Sequence, residues 1–282
     1  MEKIGIIIDS FSGISKTEAE AHGFYYLPLQ IEIDKKVYQD GIVDPVEVLE
    51  QLANATDIKS SSPKLDILQS TVKKAAEENQ EVIYLGISSK LSSTPNHVAA
   101  MSNEYKNIHV VDNHFAGVQL LYAAKYAKKL SEQGLEVQSI INHLAKLNQK
   151  SHTFLLPMNL KYLISGGRLS SVKKFIASKV SIYPVLSYDK NDAVSFVSFK
   201  LTSSGAIKKL FEKVMEAVDK PEDYVFTWMH GIDEKVNKLV QEQAQKHSIK
   251  LVNEQLTSSV ISVHTGPEAF AIMITPKEGY DA

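Results

Sequence analysis

Residues 81–95 read Glu81-Val82-Ile83-Tyr84-Leu85-Gly86-Ile87-Ser88-Ser89-Lys90-Leu91-Ser92-Ser93-Thr94-Pro95. A short β-branched apolar run gives way to a hydroxyl-rich turn, and Pro95 then opens a helical pattern. The same succession starts at Ile4–Asp9 and again at Ile108–Asp112. Continuous apolar strands separated by amphipathic helices are the rhythm of βαβ units, which predicts a mostly parallel sheet covered on both faces. Capping signals mark the helix starts: Ser15 with Glu18, Asp44-Pro45 with Glu47, and Ser62-Pro63. Helices are expected over 115–132 and 136–149, with Gly134 as the stop between them.

Beyond Thr153 the rhythm changes. The pattern predicts a short helix ending at Gly166-Gly167, a second helix near 171–179, and a hairpin about Lys190-Asn191-Asp192. A helix over 204–218, a strand over 224–229, a helix over 233–247 and strands near 250–255 and 269–275 follow. The expected architecture is α/β in two domains. Residues 1–150 form a three-layer α/β/α unit with a mostly parallel sheet, and residues 151–282 a two-layer α/β unit with a mixed sheet.

Composition narrows the function. The 282 residues are 44% hydrophobic and 23% charged, with a formal net charge of −2, which leaves no electrostatic footprint for wrapping a nucleic acid. Cysteine is absent, which removes disulfides, thiolate nucleophiles and sulfur-ligated metals. The Ile4–Ile8 run is too short for a secretory signal and no 18-residue apolar stretch occurs, so a cytoplasmic location is expected.

Ligands of open α/β sheets bind beyond the carboxyl ends of the strands, which selects Asp9-Ser10, Ser88–Thr94, Asp112 and the Ser60-Ser61-Ser62-Pro63 turn. Two hydroxyl-rich turns before helix N-termini favour an anionic headgroup, although any single such turn is more often a plain helix cap. The chain has no glycine-lysine phosphate loop, no dinucleotide fingerprint and no His-Glu-x-x-His spacing, so no cofactor and no metal are expected. Gly86-Ile87-Ser88-Ser89-Lys90 lacks the last glycine of a nucleophile elbow. Two segments exceed folding needs: Leu160–Ser170, where paired glycines present Arg168, and the tight turn His264-Thr265-Gly266-Pro267-Glu268. Arginine holds a carboxylate or phosphate bidentately, and histidine shuttles a proton near neutral pH.

In this order, Asp9-Ser10, Ser60–Pro63, Ser88–Thr94, Leu160–Ser170, Pro184 in Tyr-Pro-Val-Leu and His264–Pro267, the motifs resemble the DegV family along the whole chain. The resemblance implies a long-chain fatty acid in an apolar tunnel between two α/β domains. Its carboxylate is held by hydroxyls that correspond to Ser60 and Ser92, with Ser61, Ser93 and Thr94 beside them. It also implies that Arg168 and His264 present the carboxylate to a separate fatty acid kinase subunit, and it leaves room for transient contact with a membrane surface. The chain departs from the family pattern at Ser60 (usually threonine), Ser93 (glycine), Pro95 (tyrosine) and Glu268 (a small residue), and its opening motif lacks the second acid. Two other readings stay open: a transferase with Ser92 or Ser10 as nucleophile and His264 as base, and a small-ketone-binding module of the same fold.

Overall fold

The structure, a computed structural model, describes residues 4–166, 182–189 and 194–280. The first sheet runs β2-β1-β6-β7, with β1 Ile4–Asp9, β2 Tyr25–Leu27, β6 Glu81–Leu85 and β7 Ile108–Val110, all parallel. Successive side chains on a strand face opposite ways. Ile7, Val82 and Tyr84 therefore pack on one side with Leu68, Val72 and Ala75 of α3 (Leu65–Glu78) and Val98 of α4 (Thr94–Met101). Ile6, Ile8, Ile83 and Leu85 join the opposite core with Leu120, Leu121 and Ala124 of α5 (Val118–Glu132). This is the three-layer unit expected from the βαβ rhythm.

The helix signals hold at α1 (Lys16–Ala21), where Ser15 Oγ accepts the Glu18 amide at 3.2 Å, and at α2 (Pro45–Asn54), where Asp44 accepts the Val46 amide at 2.9 Å. Gly134 takes φ +85° between α5 and α6 (Val137–Lys150), as a left-handed stop requires.

A three-stranded antiparallel sheet of β4-β3-β5 goes beyond the expected pattern: β3 Gln30–Ile33, β4 Lys36–Gln39 and β5 Ile58–Ser61. Asp34 and Lys35, at φ 45° and 70°, make the two-residue hairpin turn between β3 and β4. Ser60 and Ser61 thus belong to a strand, Ser60 standing opposite Ile31, rather than to a turn that starts a helix. Their hydroxyls suggest caps, but the ladder with β3 takes their backbone, and α3 begins only after Lys64.

The third sheet is mixed, in the order β10-β9-β8-β13-β11-β12: β8 His152–Leu156, β9 Tyr183–Tyr188, β10 Ser195–Lys200, β11 Tyr224–His230, β12 Leu251–Leu256 and β13 Phe270–Pro276. Only β11 and β12 pair in parallel. Phe154, Leu156, Phe226, Trp228, Phe270 and Ile272 point to one face, under α8 (Ser203–Glu216) and α9 (Glu234–Lys246). Leu155, Leu186, Met229, Ala271 and Met273 point to the other and share a core with α5, α6 and β1. The helix near 171–179, the turn of the β9–β10 hairpin and Arg168 lie outside the described residues. His264 falls in the last turn of a helix, α10 (Ser259–Thr265), and not in a free turn; Gly266, at φ +96°, closes that helix. A short helix α7 spans Leu160–Gly166.

Two side-chain amides, the buried Gln119 and the half-buried Gln255, tie the start of α5 to the third sheet. Gln119 Oε1 accepts the Ala116 amide (3.0 Å) and the Thr153 hydroxyl (3.1 Å), while Nε2 donates to the Ile274 carbonyl (3.0 Å). Gln255 Oε1 accepts the Val118 amide at 3.1 Å, and its Nε2 donates to the Ser12 carbonyl at 3.2 Å. Buried groups stripped of a partner cost roughly 1–3 kcal/mol each, so Gln119→Leu is expected to lower the unfolding free energy by about 3 kcal/mol in urea titration. A loss under about 0.5 kcal/mol would mean that solvent or relaxation satisfies those groups.

Candidate functional site

The inner face of the third sheet does not close fully on the N-terminal half. A cavity of about 570 Å³ remains, within the usual range for small-molecule sites. Its wall is mainly apolar, with Phe11, Leu29, Ile87, Leu155, Leu163 and Val260 around it and Met229 and Ala271 from the third sheet. At one end stand Ser60, Ser61, Ser62, Ser92, Ser93 and His264, with Lys64 and His97 beside them.

Three elements converge on that polar end. Strand β5 brings half-buried Ser60, whose Oγ shares a 2.7 Å hydrogen bond with Nε2 of His264 on α10. The exposed Ser61 and the half-buried Ser62 follow it. The turn before α4 brings half-buried Ser92 and exposed Ser93. Thr94, the first residue of α4, is fully buried and lies behind the cavity wall, where it bonds both Ser92 (2.9 Å) and Ser62 (3.0 Å). Ser93 occupies the N-cap position of α4 but its side chain caps no amide; it lies 3.1 Å from Ser62 Oγ instead. The polar end therefore collects Ser60, Ser61, Ser92, Ser93 and His264, with Thr94 as support. Ser62 of the Ser60–Pro63 motif joins it, as do Lys64 and His97, which lie outside the motifs. Lys64 directly follows Pro63, whereas His97 carries no sequence signal beyond its place one turn into α4.

The imidazole is tightly housed. A Cβ added to Gly166, at the end of α7, would fall 2.3 Å from His264 Nδ1, so a side chain there displaces the ring. That close approach explains why glycine ends α7.

Asp9 and Ser10 shape the wall from behind instead of facing the ligand space. Asp9, fully buried, accepts hydrogen bonds from the Tyr84 hydroxyl (2.6 Å), the Ile87 amide (2.9 Å) and the Phe11 amide (3.1 Å), and so fixes two wall residues. Ser10 Oγ accepts the Leu29 amide at 3.1 Å, which fixes a third. Neither Ser10, 1% exposed, nor Ser92, bonded to Thr94, makes the contact with His264 that a nucleophile would need; Ser60 does. Asp112 is exposed and outside the cavity lining. Asp40 accepts the Ser259 amide at 3.2 Å at the start of α10, the helix that carries His264. Among the described residues no cluster of His, Asp and Glu suits a metal ion, and no helix is long and apolar enough to cross a membrane.

A family model for DegV, described as an uncharacterised protein family, matches residues 3–277. The chain belongs to the DegV family. A DegV domain-containing protein of Mycoplasmopsis pulmonis is 29% identical over 280 residues, spanning 96% of this chain and 94% of that one. Another, from Clostridium acetobutylicum, is 28% identical over 283 residues, spanning 98% and 100%. Among solved structures, a DegV family protein from Thermus thermophilus described by its fatty acid binding superposes with a TM-score of 0.85 at 20% identity, covering 97% of this chain and 99% of that one. DegV of Bacillus subtilis, described as a fatty acid binding protein, gives 0.84 at 24% identity, covering 98% and 100%. These likenesses establish the DegV fold for the chain, including the two-domain arrangement of a parallel and a mixed sheet.

Burial pushes the Asp9 carboxyl up to about 6 and the Asp40 carboxyl up to about 7; hydrogen bonds from Tyr84, Ile87 and Phe11 and from Ser10, Val260 and Ser259 oppose the rise, and the Asp9 charge adds to that of Asp40. Between about pH 4 and pH 7 the folded chain keeps a proton on Asp40 that the unfolded chain has lost. Unfolding free energy therefore falls as pH rises through that window and levels off above it. A shift of this size corresponds to about 4 kcal/mol. Asp40→Asn should flatten most of that slope in chemical denaturation from pH 4 to 8. An unchanged slope would assign it to Asp9 or to other groups.

Proposed function

We propose that the protein binds one long-chain fatty acid, with the acyl chain in the cavity and the carboxylate at the hydroxyl-rich end. The observation that carries this reading is the pairing of an apolar cavity with Ser60, Ser92 and His264 gathered at one end of it. At about 0.8 kcal/mol per buried methylene, a chain of about 16 carbons contributes on the order of 10 kcal/mol of gross transfer energy, so the tail dominates affinity. The hydroxyls offset the desolvation of the carboxylate and decide which end faces the polar residues. Relatives described as fatty-acid-binding proteins support the same ligand class.

The protein acts as a carrier that hands the carboxylate to a separate kinase subunit for acyl-phosphate formation. In support, its sequence holds no phosphate-cradling glycine-lysine loop. Loaded protein mixed with ATP and hydroxylamine should yield no hydroxamate until a kinase subunit is added; hydroxamate from the chain alone overturns the carrier role.

A second reading has one observation in its favour. The 2.7 Å contact of Ser60 with His264 is the geometry of a nucleophile and its base. Turnover of an activated long-chain ester that disappears in Ser60→Ala would replace the carrier with an acyl transferase or hydrolase.

The direct test of the first reading is binding. Ser92→Ala removes a hydrogen bond to a charged group, worth about 1.5–3 kcal/mol, and should weaken palmitate about 10- to 100-fold in competition with a fluorescent fatty acid. Equal affinity in the variant and the unaltered protein would remove Ser92 from the headgroup site.

A further inference from the structure

Four side-chain hydroxyls form an unbranched line at the polar end of the cavity, Ser62, Ser92 and Ser93 in its lining and Thr94 behind it. Ser93 Oγ lies 3.1 Å from Ser62 Oγ, the Thr94 hydroxyl donates to Ser62 Oγ at 3.0 Å, and Ser92 Oγ lies 2.9 Å from Thr94 Oγ1. A hydroxyl has a single proton to give and two lone pairs. Three links use three protons, so a line of four keeps one in surplus. Because Thr94 gives its proton to Ser62, Ser92 has to donate to Thr94. The surplus then sits at the Ser62–Ser93 end, where Ser93 is exposed and water accepts it.

In this polarity Ser92, the member of the Ser92–Thr94 pair that lines the cavity, offers the ligand only a lone pair. A carboxylate has no proton and gains nothing from it. The opposite polarity, in which Ser93 donates to Ser62, Ser62 to Thr94 and Thr94 to Ser92, contains the same number of links. It carries the surplus proton to Ser92, and the Thr94 amide, 3.2 Å from Ser92 Oγ, keeps its acceptor in both cases. The Ser62–Ser93 and Ser92–Thr94 links admit either direction as they stand, and the Ser62–Thr94 link reverses with a small turn of a side chain.

We propose that Ser62 and Thr94 are positioning residues that set the hydrogen-bond polarity of Ser92, so that one polarity holds an acceptor-only headgroup such as a carboxylate and the other a proton-bearing headgroup such as a long-chain alcohol. The inference rests on the fatty-acid reading above, because it takes Ser92 to meet the headgroup. Apparent affinity for a carboxylate is then reduced by the fraction of molecules in the wrong polarity. Ser62→Ala deletes the acceptor that claims the Thr94 proton, so that Thr94 donates to Ser92 and Ser92 donates into the cavity. Thr94→Val deletes the acceptor inside the wall and frees the Ser92 proton for the ligand.

Palmitate, methyl palmitate and hexadecanol, each competed against a fluorescent fatty acid at pH 8, test this. Palmitate and the ester, which only accept, should bind Ser62→Ala and Thr94→Val about two- to tenfold more tightly than the unaltered protein, the span of one net hydrogen bond. Hexadecanol should bind all of them equally. Ser62 is half-buried, so Ser62→Ala keeps the comparison decisive even if the buried Thr94→Val does not fold. The proposal fails if Ser62→Ala weakens palmitate as Ser92→Ala does, which would make Ser62 a direct headgroup contact. It fails equally if acid and alcohol shift together, or if neither shifts. Lack of palmitate binding by the unaltered protein has a different signature: it overturns the fatty-acid reading, and the polarity proposal with it.

Discussion

Alternation of side chains along β8, β11 and β13 is the constraint on which the rest depends. Phe270, Ile272 and Ile274 close a helix-covered core on one side, and Ala271 and Met273 turn toward the N-terminal half on the other. A one-residue slip of register would send the aromatics into the cavity and Leu155, Met229 and Ala271 beneath α8 and α9. The ligand space therefore exists because residues of modest bulk fall on one parity of three central strands.

The polar end rests on a different kind of support. Buried carboxylates are costly unless hydrogen-bonded, and here Asp9 and Asp40 hold the loops that follow β1, β6 and β4. Asp9 ties Ile87 to Phe11 across two strands, and Asp40 anchors the start of the helix whose last turn carries His264. An acid at the end of the first strand looks like a ligand-facing group in an open α/β sheet. In this fold its work is to keep apolar wall residues in place.

Much of the architecture was legible in the sequence because strong periodicities recorded it. The runs at 4–9 and 81–87 mark strands buried on both sides, and the caps at Ser15 and Asp44 mark helix starts to the residue. The small antiparallel sheet was not legible. Its strands carry Gln30, Glu32, Gln39 and Lys59 on one face, so their apolar content is thin, and Ser60-Ser61 advertises a cap that the backbone does not form. The sequence pattern puts His264 in a turn because α10 has only seven residues, too few for a helical period to stand out. The hydroxyl cluster was visible as two separate turns, but their meeting, 31 residues apart at Ser62 and Ser93, is a matter of tertiary packing alone.

The missing side chain at Gly166 sets how near two helices come. With less than a methyl group's clearance between the end of α7 and the imidazole carried by α10, the contact has no slack, so anything that brings α7 nearer has to displace the ring that meets Ser60.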